Sequence, residues 1–267
     1  MGLLMKKKLE TRLSDTDMKH ALREAEAQLI RQGGDLVRRR LLRGALSLGG
    51  FAALSGCDLK DGDGVEHALG VISQWNDRVQ AWLFDPTRLA PTYAVSQIVR
   101  PFPFNAFYGE EDVHRVDPRV WQLELGGLVA QRKPWSLLDL LSLPQSHQIT
   151  RHICVEGWSA IGEWGGVPLG SFLRRVGADL TAKYVAFQCI DGYHTSIDMA
   201  SALHPQTILA LTQDGKPLPA RHGFPMKLRI PTKLGYKNPK HIRVMHVTNS
   251  HPGGYWENQG YNWFGGS

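Results

Sequence analysis

Arg151-His152-Ile153-Cys154-Val155-Glu156-Gly157-Trp158-Ser159 is the stretch on which the reading of this chain turns. One cysteine stands between a short apolar, strand-like run, Ile149 to Val155, and a turn broken by glycine. The chain has three cysteines, and Cys57 falls in what looks like a cleavage site, so the folded body is left with Cys154 and Cys189. Taken alone, an unpaired cysteine in an apolar run reads as a small buried hydrophobe. The rest of the chain gives it another meaning.

With 267 residues, 42% of them hydrophobic, there is enough apolar material for one large domain or two small ones. The formal charge of +6 is unevenly placed. Residues 1–43 hold 11 Lys and Arg against 6 Asp and Glu, while the remaining residues hold 20 against 19. Basicity is thus confined to the leader, and the body has no electrostatic case for binding nucleic acid.

Residues 1–37 are polar, with Leu13, Ala21, Leu22, Ala25, Leu29 and Ile30 spaced as on one helix face. Val37-Arg38-Arg39-Arg40-Leu41-Leu42-Arg43 resembles the twin-arginine export motif, and a short apolar run follows from Gly44 to Gly56. It is too short to span a bilayer as a mature helix. The run ends Leu54-Ser55-Gly56-Cys57, which resembles a bacterial lipobox; Asp58 resembles an inner-membrane retention signal. Twin-arginine export carries folded passengers, so the leader predicts a cofactor acquired in the cytoplasm. Residues 1–57 are therefore expected to be a signal segment, 58–94 a tether and amphipathic helix, and 95–267 the functional domain.

Lys60 to Gly64 reads as a flexible turn, since the later ligands of a calcium loop are missing. Val71, Ile72, Trp75, Val79, Trp82 and Leu83 then recur at helical spacing. The prolines in Pro101-Phe102-Pro103-Phe104-Asn105-Ala106-Phe107-Tyr108 predict a fixed loop. Trp121 to Leu125 alternates as a half-buried strand, and a helix is expected from a Ser136 N-cap to Leu143, stopped by Pro144. Gly162 to Gly166 separates the cysteine from a helix started near Pro168 and closed by Gly177. Tyr184 to Ile190 reads as a buried strand in which Cys189 is packing, and Asp191 to Ser196 as a turn into another. A hairpin turns at Asp214-Gly215, and His241 to Val247 alternates as a last core strand.

Cys154-Val-Glu-Gly-Trp-Ser159 resembles the metal-ligand segment of the sulfite-oxidase superfamily of molybdopterin enzymes, especially the branch of the periplasmic methionine-sulfoxide reductase catalytic subunit. Asn105 and Tyr108 match an Asn-x-x-Tyr segment of that branch, although Gly109 stands where Glu is usual. Gly223-Phe-Pro225-Met-Lys227-Leu-Arg-Ile-Pro231, followed by Gly235-Tyr-Lys237-Asn238-Pro239-Lys240, matches its phosphate-holding strand and loop. His222 and Lys227 replace a usual Asn and Arg, and Lys227 keeps the charge but loses the bidentate fork. The Tyr255 to Gly266 tail resembles the family's terminal Trp/Tyr-rich segment.

The resemblance implies an α+β fold of the sulfite-oxidase type, with mixed β-sheets and short helices and without a C-terminal immunoglobulin-like domain. It implies molybdopterin carrying molybdenum, with Cys154 as metal ligand and catalytic residue. Asn105, Tyr108, Thr195, His222, Lys227, Lys237, Asn238, Pro239 and Lys240 are the implied cofactor contacts, Thr195 from the turn before a strand. A single soft thiolate at a strand end suits such a metal, while the pterin brings the redox chemistry. The expected reaction is oxygen-atom transfer on a small sulfoxide-like or sulfite-like molecule. Arg151, Arg174 or Arg221 would suit sulfite; aromatic walls such as Trp158 or Trp164 would suit a sulfoxide. Without a Cys-x-x-Cys-His haem motif, electrons would come from an external partner such as a membrane haem protein. The expected product is a monomer, extracytoplasmic and lipid-anchored to the inner membrane.

The competing readings are weaker. Gly157-Trp-Ser159-Ala-Ile lacks the Gly-x-Ser-x-Gly elbow of a serine hydrolase. His194, His204, His222, His241, His246 and His251 lack the short paired spacing of a zinc site. A non-catalytic exported lipoprotein that keeps the fold as a binding module is the alternative from another class.

Overall fold

A computed structural model describes residues 62–267, with side chains from Gly70 onward. The twin-arginine motif, the lipobox with Cys57, and the Leu13 to Ile30 helix face lie outside the described residues. None of the described helices is long and apolar enough to cross a membrane.

Helix α1, Gly62–Leu83, takes in the glycines that the sequence assigns to a flexible turn. After it the chain runs irregularly to strand β1, Gln122–Gly127, in which Leu123 and Leu125 are buried while Gln122 and Glu124 are exposed. A two-residue strand β2, Trp135–Ser136, leads into α2, Leu137–Leu141. Ser136 Oγ accepts from the Asp139 amide at 3.1 Å, and the Asp139 carboxylate accepts from the Ser136 amide at 2.9 Å. This reciprocal cap fixes the helix start as expected, although the helix ends two residues before Leu143.

Strand β3, Ser146–Ile153, runs antiparallel to β4, Ser159–Pro168. The glycine-rich stretch that reads as a spacer is therefore a central strand, and the reason is steric. A side chain at Gly166 would lie 2.0 Å from the Leu209 carbonyl oxygen, where β4 bulges against the next strand. Only glycine permits that approach. Helix α3, Leu169–Arg175, follows, with Pro168 at its N-cap and Gly177 in the left-handed region just past its end.

Strands β5 (Tyr184–Cys189) and β6 (His194–Asp198) form a hairpin, and α4 spans Met199–Leu203. Strands β7 (Ile208–Gln213) and β8 (Lys216–Pro217) turn at Asp214 and Gly215, both at positive φ. Strands β9 (Lys227–Arg229) and β10 (Ile242–Thr248) complete the set. One five-stranded sheet has the order β2-β1-β10-β5-β6; the other has β3-β4-β7-β8, with β9 also pairing to β7. The β1–β10 pairing is parallel, so the first sheet is mixed, while the second is antiparallel throughout.

The largest core cluster draws on both sheets, including Leu123, Phe187 and Val247 from one and Val167, Leu209 and Leu228 from the other. Cys189 is buried within it, as its sequence neighbours suggest. Phe172 of α3 is fully buried and meets the Trp135 ring edge-on at 5.1 Å. Phe172→Ala is expected to cost about 3–5 kcal/mol in denaturant unfolding; a loss below about 1 kcal/mol would show that α3 is not a core element.

Candidate active site

Cys154 lies one residue past the end of β3, in a turn closed by its own backbone. Its amide donates to the Trp158 carbonyl at 2.9 Å, and the Gly157 amide donates back to its carbonyl at 3.2 Å. Gly157, at φ +93°, supplies the left-handed residue this turn requires. Two sheet-borne strands thus hold the thiol in place at the wall of a cavity of about 140 Å³.

Six residues that the sequence singles out line this cavity: Asn105, Tyr108, Cys154, Asn238, Pro239 and Lys240. They come from three separate segments. Lys240 ties two of these together, because its Nζ donates to the Asn105 carbonyl at 2.7 Å and to the Arg221 carbonyl at 3.1 Å. His222 and Lys227 are buried but do not line the cavity. A side chain at Gly223 would meet Lys240 Cβ at 3.0 Å and Lys227 Cβ at 3.1 Å, so glycine lets these two lysines approach from either side.

Thr195 and Lys237 point elsewhere. Thr195 is a strand residue of β6 rather than a turn residue, and its hydroxyl donates to Glu257 Oε1 at 2.5 Å. Lys237, fully buried in a short 3-10 turn, pairs with the same oxygen at 2.5 Å. Glu257 thus draws both side chains away from the cavity wall.

Several lining residues escaped the sequence reading. Phe107, Tyr193, Tyr236, Trp256 and Tyr261 give the wall an aromatic side, while Glu156 and Asp191 bring carboxylates. The Asp191-Gly-Tyr193 turn and the aromatic tail are legible as segments, but nothing in their spacing says which side chains face inward. Of the arginines suited to an oxyanion, Arg151 stacks over Tyr93 at 5.3 Å and Arg221 pairs with Glu110 at 2.9 Å. No arginine lines the cavity among the described residues. Trp164 is buried under the Arg229 guanidinium, 4.3 Å from its ring centroid, and Trp158 donates to Glu156 at 3.0 Å; neither lines the cavity.

Behind the wall lies a buried group of cations. Arg229 is fully buried and reaches across to β3, donating to Thr150 Oγ1 at 3.0 Å and to the Arg151 carbonyl at 2.6 Å. It also donates to Asn238 Oδ1 at 3.2 Å, so one guanidinium joins the strand carrying Cys154 to the loop carrying Asn238. Among the described residues no carboxylate pairs with Arg229 or Lys227. Burial, then the charges of Lys240 and Arg229, pushes Lys227 well down. Burial likewise brings Lys240 down to about 8. His152, two residues before Cys154, is held low by burial and then by Arg229, and neither ring nitrogen has a hydrogen-bond partner among the described residues. Burial is also the main cause that raises the Cys154 thiol, with the nearby Glu156 carboxylate adding to it.

His222 is brought down to about 3, first by burial and then by Lys227, Arg221 and Lys240. Its folded value lies below the unfolded value of about 6.5, so the unfolded chain takes up the proton first. Stability from the neutral ring is full above pH ~6.5 and is lost as pH falls toward 3, by up to ~1.4 kcal/mol per pH unit. His222→Gln is expected to flatten unfolding free energy against pH across this window in the apo-protein, leaving the residual slope from His152 and His241, which burial also holds low. Identical slopes for the two proteins would contradict the placement of His222.

Comparison with known proteins points one way. The family model described as the oxidoreductase molybdopterin binding domain matches residues 110–256. A chain of Azospira oryzae, provisionally named protein-methionine-sulfoxide reductase subunit YedZ1, is 62% identical over 230 residues, covering 86% of this chain and 88% of that one. The protein-methionine-sulfoxide reductase catalytic subunit MsrP of Ralstonia nicotianae is 30% identical over 213 residues, covering 69% of this chain and 64% of that one. The solved structure of the sulfane dehydrogenase SoxCD from Paracoccus pantotrophus is a looser likeness, with a TM-score of 0.49 at 20% identity over 52% of this chain and 40% of that one.

Proposed function

This chain belongs to the oxidoreductase molybdopterin-binding family, and from that premise we propose that it reduces sulfoxides with Cys154 as the protein ligand to molybdenum. The membership makes it a molybdenum-dependent oxidoreductase with molybdopterin as cofactor, and nothing supports the non-catalytic binding module.

The residues present fit such a group. A soft sulfur ligand stands on the cavity wall, and beside it lies buried positive charge that needs an anion. Buried cations without a counter-charge are costly, and a phosphate held by Lys227 and Lys240 would offset that cost. The unpartnered Arg229 Nε is a further buried donor, and the neutral His152 ring leaves one donor and one acceptor unpartnered, groups of the kind a polar cofactor satisfies. Asn105 and Tyr108, which line the same cavity beside Lys240, would meet it there. Molybdenum in the pterin dithiolene supplies two-electron redox chemistry at the cavity. A metal-bound thiol gives up its proton, which reverses the upward push that burial exerts on Cys154.

One observation carries the choice of substrate. The cavity wall combines six aromatic rings with Glu156 and Asp191, and its single cation among the described residues, Lys240, is already bonded to two carbonyls. A neutral sulfoxide is accepted there, whereas sulfite would be repelled by the two carboxylates. Each turnover, R₂SO + 2 H⁺ + 2 e⁻ → R₂S + H₂O, consumes two protons.

Residues 1–57 serve in this reading as a twin-arginine leader ending at the lipid-bearing Cys57, 58–94 as the connection, and 95–267 as the catalytic domain in the periplasm. Electrons arrive from a membrane haem partner, and the protein is monomeric. The test is a dye-linked assay of the molybdenum-loaded protein. Reduced benzyl viologen should be oxidised by methionine sulfoxide and dimethyl sulfoxide, with sulfite and ferricyanide giving a kcat/KM at least about a hundredfold lower. Sulfite turnover exceeding sulfoxide turnover would overturn the substrate assignment.

A further inference from the structure

Helix α1 is docked to the body by the side of it that sequence patterning would have left in water. Its half-buried positions are Gly70, Ser73, Asp77, Val79 and Gln80, continued by Phe84 just beyond the helix; all but Val79 fall on one regular three-and-four stripe that is almost wholly polar or small. The contacts along it are specific: the Phe264 amide donates to Asp77 Oδ1 at 2.7 Å, the Gly266 amide to Gln80 Oε1 at 3.1 Å, and Phe84 packs on Phe264 at 5.7 Å. Val71, Ile72, Trp75, Trp82 and Leu83 lie roughly 160° around the helix from that stripe at 100° per residue. All five are between 54% and 64% exposed. Arg78 is the one charged residue of Val71–Leu83 outside the docked stripe.

We propose that this face lies flat in the interface of a lipid bilayer, so that α1 fixes how the catalytic body sits on the membrane. A contiguous exposed apolar stripe marks an interaction surface. Paired tryptophans flanked by aliphatic residues are suited to the headgroup boundary, where one end of the indole is dry and the other wet. Arg78, with no carboxylate beside it on that arc, suits anionic headgroups. The length of chain before the helix also favours lipid. Four residues separate Cys57 from Gly62, five chain steps that reach at most about 17 Å even when fully extended. An acylated Cys57 would therefore hold α1 within one helix diameter or two of the bilayer. The proposal rests on the lipoprotein reading for that last point alone.

The test uses the full chain, exported and purified from a host that makes molybdopterin, and reconstituted with phosphatidylethanolamine/phosphatidylglycerol vesicles containing brominated lipid. Bromine quenches only tryptophans within the bilayer. Of eight tryptophans, Trp75 and Trp82 are expected to account for nearly all the quenching, so Trp75→Phe/Trp82→Phe should remove most of it. The mass of the N-terminal peptide reports acylation of Cys57 separately. If Cys57 is unmodified, the anchor reading fails, and the surface proposal still stands or falls on quenching in the same sample. Equal quenching in the two proteins, or none, overturns it. So does a dimer that the same two substitutions dissociate without any quenching, which would give the face to a second copy.

Discussion

Cys154→Ser is expected to lower sulfoxide turnover by more than about a hundredfold, since changing residues that merely support a metal ligand already costs roughly 10- to 100-fold. A serine hydroxyl is a hard, weakly acidic donor, and a soft metal site loses its single protein sulfur by the exchange. The fold should be unaffected. The turn at residue 154 is held through the backbone, by the Cys154 amide and carbonyl, and by Gly157 in its left-handed conformation. Denaturation of the apo-proteins checks this control, and metal analysis with turnover checks the site. Undiminished metal and undiminished turnover together would end the account.

Lys227→Met is expected to move stability and cofactor retention in opposite directions. Lys227 belongs to β9, opposite Ala210 of β7, with 4% of its surface exposed and with burial opposing its charge. Methionine keeps the length and removes the charge. The apo-protein should gain about 1–4 kcal/mol, the range seen when buried ionic groups give way to apolar residues of similar volume. The loaded protein should lose pterin and molybdenum roughly 10- to 100-fold more readily, the worth of one hydrogen bond to a charged group. Thermal melts of the apo forms and pterin fluorescence after dialysis read the two effects. An apo-protein that is destabilised while cofactor retention stays the same would make Lys227 a structural cation and remove it from the site.

Much of the fold was legible because local chemistry and period agreed. The alternation through Leu123 and Leu125, the Ser136 cap, and the Asp214-Gly215 turn each dictated one local geometry, and each is found. Strand β4 was not legible, since its glycines carry no strand signature, and Gly166 is explained by the backbone of a neighbour more than forty residues away. Helix α1 was legible as a helix but not in its orientation: hydrophobic spacing shows that two faces differ, while Asp77 and Gln80 decide which one is docked.

The same limit applies to the site. Cys154, Asn105, Tyr108 and the Asn238 to Lys240 loop converge on one cavity, and each lies in a segment whose whole sequence follows one pattern. Thr195 and Lys237 belong to equally well-read segments but face Glu257, an acid in the aromatic tail that no spacing linked to them. Segment order was enough to assemble the wall; the direction of each side chain depends on register and on partners distant in sequence. Arg229 is the clearest residue the reading passed over. A charge within the apolar Met226–Ile230 run was visible, and the structure shows it joining the strand before Cys154 to Asn238.

The most direct measurement is molybdenum K-edge X-ray absorption of the loaded wild-type protein beside Cys154→Ser. The account predicts one sulfur scatterer at molybdenum beyond the dithiolene pair in the wild type, missing from the variant. A wild-type spectrum with the dithiolene pair alone, or one that the substitution leaves unchanged, would contradict it.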